Sequence, residues 1–180
     1  MKNPILVVSL VLLLCFVFGC QNKAEKAELE KFRAQAKLEV ENKAIASREW
    51  DAWSKGDFEA FKEVVAPEYV YYMPSGSTKP LSREETIEMG KMVRNGFPDV
   101  TFSIAEMYAE GNIVVSRYIM RGTHRGEIQG IPPTGNKFEI SGIMINHIEN
   151  GKIVEDREEF DMLGFMQQLG MELKPKEVKK

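Results

Sequence analysis

The stretch KFEISGIMINHIENGKIVEDREEF, residues 137–160, decides the fold. Apolar and polar side chains alternate on both sides of Glu149-Asn150-Gly151-Lys152. Asn-Gly between two such runs is a strong short-range signal for a two-residue type I′ hairpin turn, because both central residues must take positive φ. Pairing Glu149 with Lys152 sets a register in which one face holds Ile143, Ile145 and His147 with Val154, Asp156, Glu158 and Phe160. The other face holds Met144, Asn146 and Ile148 with Ile153, Glu155, Arg157, Glu159 and Asp161. A β-bulge would exchange part of these sets, since one inserted residue turns every later side chain over.

Working outward, Val100–Tyr108 and Ile113–Thr123 repeat the period of two, so four successive strands form an antiparallel meander. Upstream the period is helical. Ala46, Trp50 and Trp53 recur at i, i+4 and i+7 on one buried stripe ending at Gly56. Asp57 caps a short helix that carries Phe58, Phe61, Val64 and Val65 and is stopped by Pro67. Tyr69–Met73 favours a short strand, followed by an irregular loop at Pro74-Ser75-Gly76-Ser77. Ser82-Arg83-Glu84-Glu85 is a capping box that opens a third helix ending near Asn95-Gly96. Helices first and a long meander afterwards predict an α+β fold.

The 180-residue chain carries 24 Lys and Arg against 27 Asp and Glu, for a net charge of −3. With no excess of cations to displace counterions from a phosphate backbone, nucleic acid is excluded as a partner. Two His and two Cys cannot build a zinc framework of repeated spacing, and neither a Gly-rich phosphate loop nor a Ser-His-Asp arrangement is present. No metal and no cofactor is expected.

The N-terminus reads as an address. Lys2 precedes a run from Ile5 to Phe18 that is apolar except for Ser9. A membrane span needs about 20 residues, so this shorter run suits a signal peptide. Val17-Phe18-Gly19-Cys20 resembles the lipobox of bacterial lipoproteins, although Phe18 is bulkier than that pattern prefers. On that reading residues 1–19 are removed and Cys20 carries lipid, palmitate included. The protein then sits in the bacterial cell envelope, anchored to a membrane outside the cytoplasm. The alternative is an uncleaved N-terminal anchor. Residues 20–42, rich in Lys, Glu and Ala, form a helical tether, residues 43–171 the folded domain and residues 172–180 a charged tail.

Candidate chemistry gathers at the end of the hairpin, in Asp156, Arg157, Glu158, Glu159 and Asp161. An exposed edge strand salted with charge is the simplest account. Yet Glu158 shares its expected face with Ile143, Ile145 and Phe160, where desolvation would raise its pKa and suit it to proton transfer near neutral pH. His124, in Arg121-Gly122-Thr123-His124-Arg125-Gly126, can exchange a proton or satisfy loop carbonyls. Arg117 and Tyr118 are adjacent on one strand, so one of them points inward. Tyr72 is a further candidate proton donor.

Phe97-Pro98-Asp99, Gly122-Thr123-His124 with Gly126, Gly130-Ile131-Pro132-Pro133-Thr134-Gly135, Gly151-Lys152-Ile153, Asp161 and Gln168-Leu169-Gly170 follow one another in order. Together they resemble the signature of SnoaL-like polyketide cyclases, also called ester cyclases, over about Ala44 to Gly170. That family belongs to the nuclear transport factor 2-like superfamily. The resemblance implies a cone-shaped curved antiparallel sheet with N-terminal helices around an apolar cavity. It also implies ring closure by intramolecular aldol condensation, without metal or organic cofactor, driven by a carboxylate acid/base. The catalytic Asp of the pattern falls on Glu158, a histidine of the preceding strand falls on Met144, and His124 matches the Gly-Thr-His position. The expected site is therefore Glu158 and His124, with Tyr72, Arg117, Met144, Arg157 and Asp161 around the pocket.

Two functions of different class follow. One is a cofactor-independent enzyme that moves a proton α to the carbonyl of a small, largely apolar compound. The other is a surface-anchored domain that holds such a ligand without converting it. A homodimeric interaction module is a third possibility, since cone folds pair through the outer face of the sheet.

Overall fold

A computed structural model describes residues 4–74, 79–172 and 174, with side chains from residue 23 onward. Its elements run α1 (Pro4–Lys55), α2 (Phe58–Val64), β1 (Val65–Tyr72), β2 (Leu81–Ser82), α3 (Arg83–Gly96), β3 (Thr101–Glu110), β4 (Ile113–Thr123), β5 (Lys137–Glu149), β6 (Lys152–Phe160) and α4 (Met162–Gln168). The chain divides into two units, Met1–Leu38 and Glu39–Lys180. In the first, the described side chains are exposed, with an Arg33–Glu30 ion pair at 3.0 Å on the helix surface. Among the described residues no helix is long and apolar enough to cross a membrane. The side chains of the apolar run and of Cys20, on which the signal and lipidation expectations rest, lie outside the described residues, as does most of the charged tail.

The second unit is α+β. Its six strands form one open sheet in the order β2-β1-β6-β5-β4-β3. All neighbours are antiparallel except β1 and β6, which run parallel. Register shifts interrupt the β1/β6, β3/β4 and β5/β6 pairs, and such bulges bend a sheet into a curve.

Local signals are met where the chain is regular. Ser82 Oγ accepts from the Glu85 amide at 3.3 Å, while the Ser82 amide donates to Glu85 Oε2 at 2.8 Å, which closes the capping box of α3. Asp57 Oδ1 caps α2 by accepting from Ala60 N at 3.0 Å. Asn150 and Gly151 both take positive φ, as the type I′ turn demands. The stripe of α1 buries Ala46 and Trp50, with Trp53 half-buried, against Phe61, Tyr69 and Tyr118. A second cluster packs Phe97, Phe138, Phe165 and Leu169 beside α4. An aromatic side chain that buries about 150–250 Å² contributes on the order of 4–6 kcal/mol by area, so these rings dominate the core.

Three features depart from expectation. The second helix ends at Val64, and β1 begins at Val65 and runs through Pro67 rather than starting at Tyr69. The register shift between Val65 and Val70 leaves Pro67, which has no N–H to give, out of the regular ladder. The parallel β1/β6 pairing makes the sheet more than a meander. Finally, α4 follows the hairpin, and its seven residues are too few for helical periodicity to stand out.

Candidate functional site

The site is built on the hairpin, and a bulge decides which side chains it presents. Glu149 pairs with Lys152 and Ile148 with Ile153, as the turn predicts, but His147 then pairs with Glu155. Val154 is the extra residue. From there on β6 is turned over relative to the bulge-free register, so Asp156 and Glu158 join Met144 and Asn146 on the inner face. The expected neighbours Ile143 and Ile145 lie on the other face, and Ile143 is 46% exposed.

Glu158 lines a cavity of about 150 Å³. Its wall comes from α1 (Trp50, Trp53), β1 (Tyr69, Tyr71), α3 (Met89, Met92), β4 (Tyr118, Met120), β5 (Met144) and α4 (Phe165, Met166), among others. Glu158 is the one carboxyl and Gln129 the one amide in that wall among the described residues. Seven of the chain's ten methionines line it, and unbranched thioether side chains adapt to ligand shape better than branched ones.

Two phenols hold the carboxyl. Tyr71 Oη donates to Glu158 Oε2 and Tyr118 Oη donates to Glu158 Oε1. Tyr71 arrives from the neighbouring strand β1, whereas Tyr118 reaches across β5 from β4. It does so over Gly142, its direct cross-strand partner, where a Cβ would stand 2.4 Å from Tyr118 Oη. The Tyr118 ring is fully buried and packs on Trp50 with ring centres 4.7 Å apart.

Burial raises the Glu158 pKa above the ordinary carboxylate value, the two phenol hydrogen bonds oppose that rise, and the nearby Asp156 adds to it. Both phenols are pushed far above the usual tyrosine value, first by burial and then by the Glu158 charge, so they stay protonated donors. Glu158 retains partial exposure although protein surrounds it, and so remains reachable from within the cavity.

Two residues back on the same face, Asp156 is fully buried. Tyr69 Oη donates to its Oδ2 at 2.7 Å, and Asn146 Nδ2 donates to its Oδ1 at 2.6 Å and to Glu49 Oε2 at 2.8 Å. Burial is the largest cause raising the pKa of both carboxyl groups, and for Glu49 the charge of Asp156 comes next.

Of the residues expected around the pocket, Met144 lines it and the other four do not. Tyr72 follows Tyr71 and therefore faces the other side of β1, where the Arg157 guanidinium lies 4.1 Å from its ring centre. Arg157 also donates to Glu155 at 2.7 Å on that outer face. Arg117 alternates outward and donates to Glu106 at 2.9 Å, while its neighbour Tyr118 takes the inner place. Asp161 accepts from Gly164 N at 2.8 Å and caps α4, so its carboxyl is spent on helix termination. His124 is fully buried but outside the cavity wall. Its ring lies against Phe97 at 5.4 Å, and its Nδ1 is 3.2 Å from Thr134 Oγ1.

Nothing in the sequence marks Tyr71, Asn146 or Glu49 as site residues, and Asp156 stands out there only as one of the charges at the end of the hairpin. The alternation of Tyr69 and Tyr71 marks them as sharing a face, but nothing local says which face is inside. Among the described residues no group of three or more His, Cys, Asp or Glu is placed to hold a metal ion.

A curved open sheet with helices around an apolar cavity that contains one hydrogen-bonded carboxyl defines a nuclear transport factor 2-like domain. More narrowly, the chain belongs to the SnoaL-like polyketide cyclase family, whose family model matches residues 43–169. It is similar to wild-type IdmH from Streptomyces antibioticus, with 29% identity and a TM-score of 0.65 over 72% of this chain and 99% of that one. A protein from Acidithiobacillus ferrooxidans is also 29% identical, with a TM-score of 0.64 over 72% of this chain and 94% of its own. A SnoaL-like protein from Jannaschia sp. CCS1 shares the fold, with a TM-score of 0.69 at 21% identity over 76% of this chain and 96% of that one. No curated protein matches the chain.

Proposed function

We propose that the domain binds a neutral, largely apolar carbonyl compound and moves a proton at the carbon α to its carbonyl, with Glu158 as general base and then general acid. The observation that carries this reading is a carboxyl held by two phenols in a largely apolar wall, still reachable from the cavity. The ionised Glu158 takes the α-proton, and the C–H electron pair moves into the enolate. Once protonated, the carboxyl no longer needs both phenol donors. One phenol O–H, from Tyr71 or Tyr118, is then free to donate to the enolate oxygen, where charge has developed. In ring closure the enolate carbon attacks a second carbonyl of the same molecule, and the new alkoxide takes its proton from Glu158. The balance needs no oxidant or reductant.

A second reading, ligand binding without conversion, is supported by His124 lying outside the wall and by Met144, which cannot transfer protons, at the family's histidine position. One experiment separates them. Both tryptophans of the chain line the cavity, so their fluorescence reports ligand entry. Candidate aromatic β-keto compounds that change this fluorescence are incubated in D₂O, and deuterium uptake at the α-carbon in excess of a protein-free control, in which such acidic protons also exchange, is followed by NMR. The acid/base reading expects uptake with the wild-type chain and a loss of about 100-fold or more in Glu158→Gln. Fluorescence change without deuterium uptake in the wild type supports the binding reading and overturns the catalytic one.

We further propose that Cys20 is lipidated after removal of residues 1–19 and anchors the domain in the bacterial envelope. Labelled palmitate fed to an expressing bacterium should enter the wild-type chain and not Cys20→Ala. Equal labelling of both would refute the anchor.

A further inference from the structure

The acid/base reading uses Glu158 and leaves a second pair of buried carboxyl groups without a role. Glu49 of α1 and Asp156 of β6 are 1% and 0% exposed. The groups that act on them are Trp53 from α1, Tyr69 and Tyr71 from β1, Asn146 from β5, and Glu155 and Glu158 from β6. None of these is cationic.

Asn146 Nδ2 bridges the two carboxyl groups by donating to both, and each acts directly on the other. Two ionised carboxylates offer only acceptors, so a proton on one is what supplies a donor between two buried groups that share a single amide. Two like charges buried side by side are in any case not both sustained. Asp156 accepts from Tyr69 Oη at 2.7 Å and from Asn146 at 2.6 Å, whereas Glu49 has Asn146 at 2.8 Å and Trp53, the least of the groups acting on it, which places the remaining negative charge on Asp156 and the proton on Glu49.

Asp156 and Glu158 stand two residues apart on one face of β6. The phenols that serve them, Tyr69 and Tyr71, stand two apart on the neighbouring parallel strand. A charge on Asp156 is therefore felt directly at Glu158.

We propose that Glu49 and Asp156 share one proton and keep a single negative charge beside Glu158, acting as positioning residues that set when Glu158 takes up its own proton. The proposal rests on the acid/base reading of Glu158 for its use in chemistry, though not for its physical content. The test is carboxyl ¹³C NMR of the full chain labelled at Asp and Glu, titrated without ligand.

In the wild type the Glu49/Asp156 pair should lose its two protons in two well-separated steps, the second above the ordinary carboxylate range. In Asp156→Asn the Glu158 midpoint should fall by about one pH unit, a tenfold loss of proton affinity. In Glu49→Gln the charge stays on Asp156, and the Glu158 midpoint should move by less than about half as much. A merely structural disturbance would not sort the two variants this way.

If Asp156→Asn does not fold, Tyr69→Phe replaces it. Loss of the donor to Asp156 draws the shared proton toward Asp156 and again lowers the Glu158 midpoint. The proposal is overturned if Glu49 and Asp156 titrate together in the ordinary range, or if the Glu158 midpoint is the same in the wild type and in the folded Asp156 or Tyr69 variant. Because no ligand is present, absence of deuterium uptake in the exchange experiment would sink the catalytic reading and leave this result standing.

Discussion

Replacing Gly142 by Ala tests the site through a residue that never touches the cavity. Gly142 takes no positive φ, so the substitution carries no backbone cost of its own. The added Cβ would stand 2.4 Å from Tyr118 Oη, 2.5 Å from Cζ and 2.7 Å from Cε1. Relaxed carbon contacts lie near 3.5–4.0 Å, so the ring must move by about 1 Å. Trp50 at 4.7 Å and Phe102 at 6.2 Å pack the ring from other directions and resist that movement. Overpacking of this kind costs about 1–3 kcal/mol, and separating a phenol from a carboxylate costs about 1.5–3 kcal/mol.

A combined loss of about 3–5 kcal/mol in a domain of this size lowers Tm by roughly 10–20 °C in scanning calorimetry. Losing a donor that favours the charged carboxyl also moves the Glu158 titration to higher pH. Gly111→Ala is the control. Its Cβ would meet nothing within 4 Å, and its φ of +58° costs only about 1–2 kcal/mol of backbone strain. A Gly142→Ala chain that melts within a few degrees of the wild type, with Glu158 unmoved, would refute the account of how Tyr118 is held.

The pH dependence of stability follows from the same carboxyl groups. Glu49, Asp156 and Glu158 bind protons more tightly folded than unfolded, so the native chain holds the extra protons between their unfolded values, near pH 4, and their raised folded values. Stability contributed by these groups is fully present at the acid end of that window and falls as pH rises through it. Tm should thus be higher near pH 5 than near pH 8, and a steady rise across that range would contradict the burial argument. Asp99 behaves in the opposite sense: Thr123 donates to it from Oγ1 at 2.7 Å and from N at 2.8 Å, which holds its carboxyl below the usual range. Its contribution is present above its unfolded value and lost as pH falls through the folded one. Asp99→Ala should cost about 1–2 kcal/mol in urea unfolding at neutral pH and less in acid, and an undiminished cost in acid would show that the hydrogen bonds are not its source.

Much of the fold is written in local chemistry. The Asn150-Gly151 turn, the Ser82–Glu85 box, the Asp57 cap and the Ala46, Trp50 and Trp53 stripe each depend on residues within a few positions of one another. Such signals survive without knowledge of what packs against them. The ordered motifs from Phe97 to Gly170 likewise point to the family whose model the chain matches. The presence of a carboxyl near the hairpin's end was legible in the same way.

Its surroundings were not. Alternation has a period of two and is blind to which face is the inside, so Arg117 and Tyr118, or Tyr71 and Tyr72, exchange roles at no cost to the pattern. Burial of Tyr118 and of Tyr71 is settled by Trp50, Gly142 and β6, all distant in sequence. The bulge at Val154 is the sharpest instance. The turn dictates Glu149 opposite Lys152, but one residue later the chain inserts Val154, and Glu158 moves from the company of Ile143 to that of Met144. That choice places Asp156 against Asn146 and Glu49, and Glu158 between two phenols. Turns, caps and strand alternation are properties of neighbours along the chain. The partners of a buried carboxyl come from strands and a helix 40 to more than 100 residues away, and only the packed sheet brings them together.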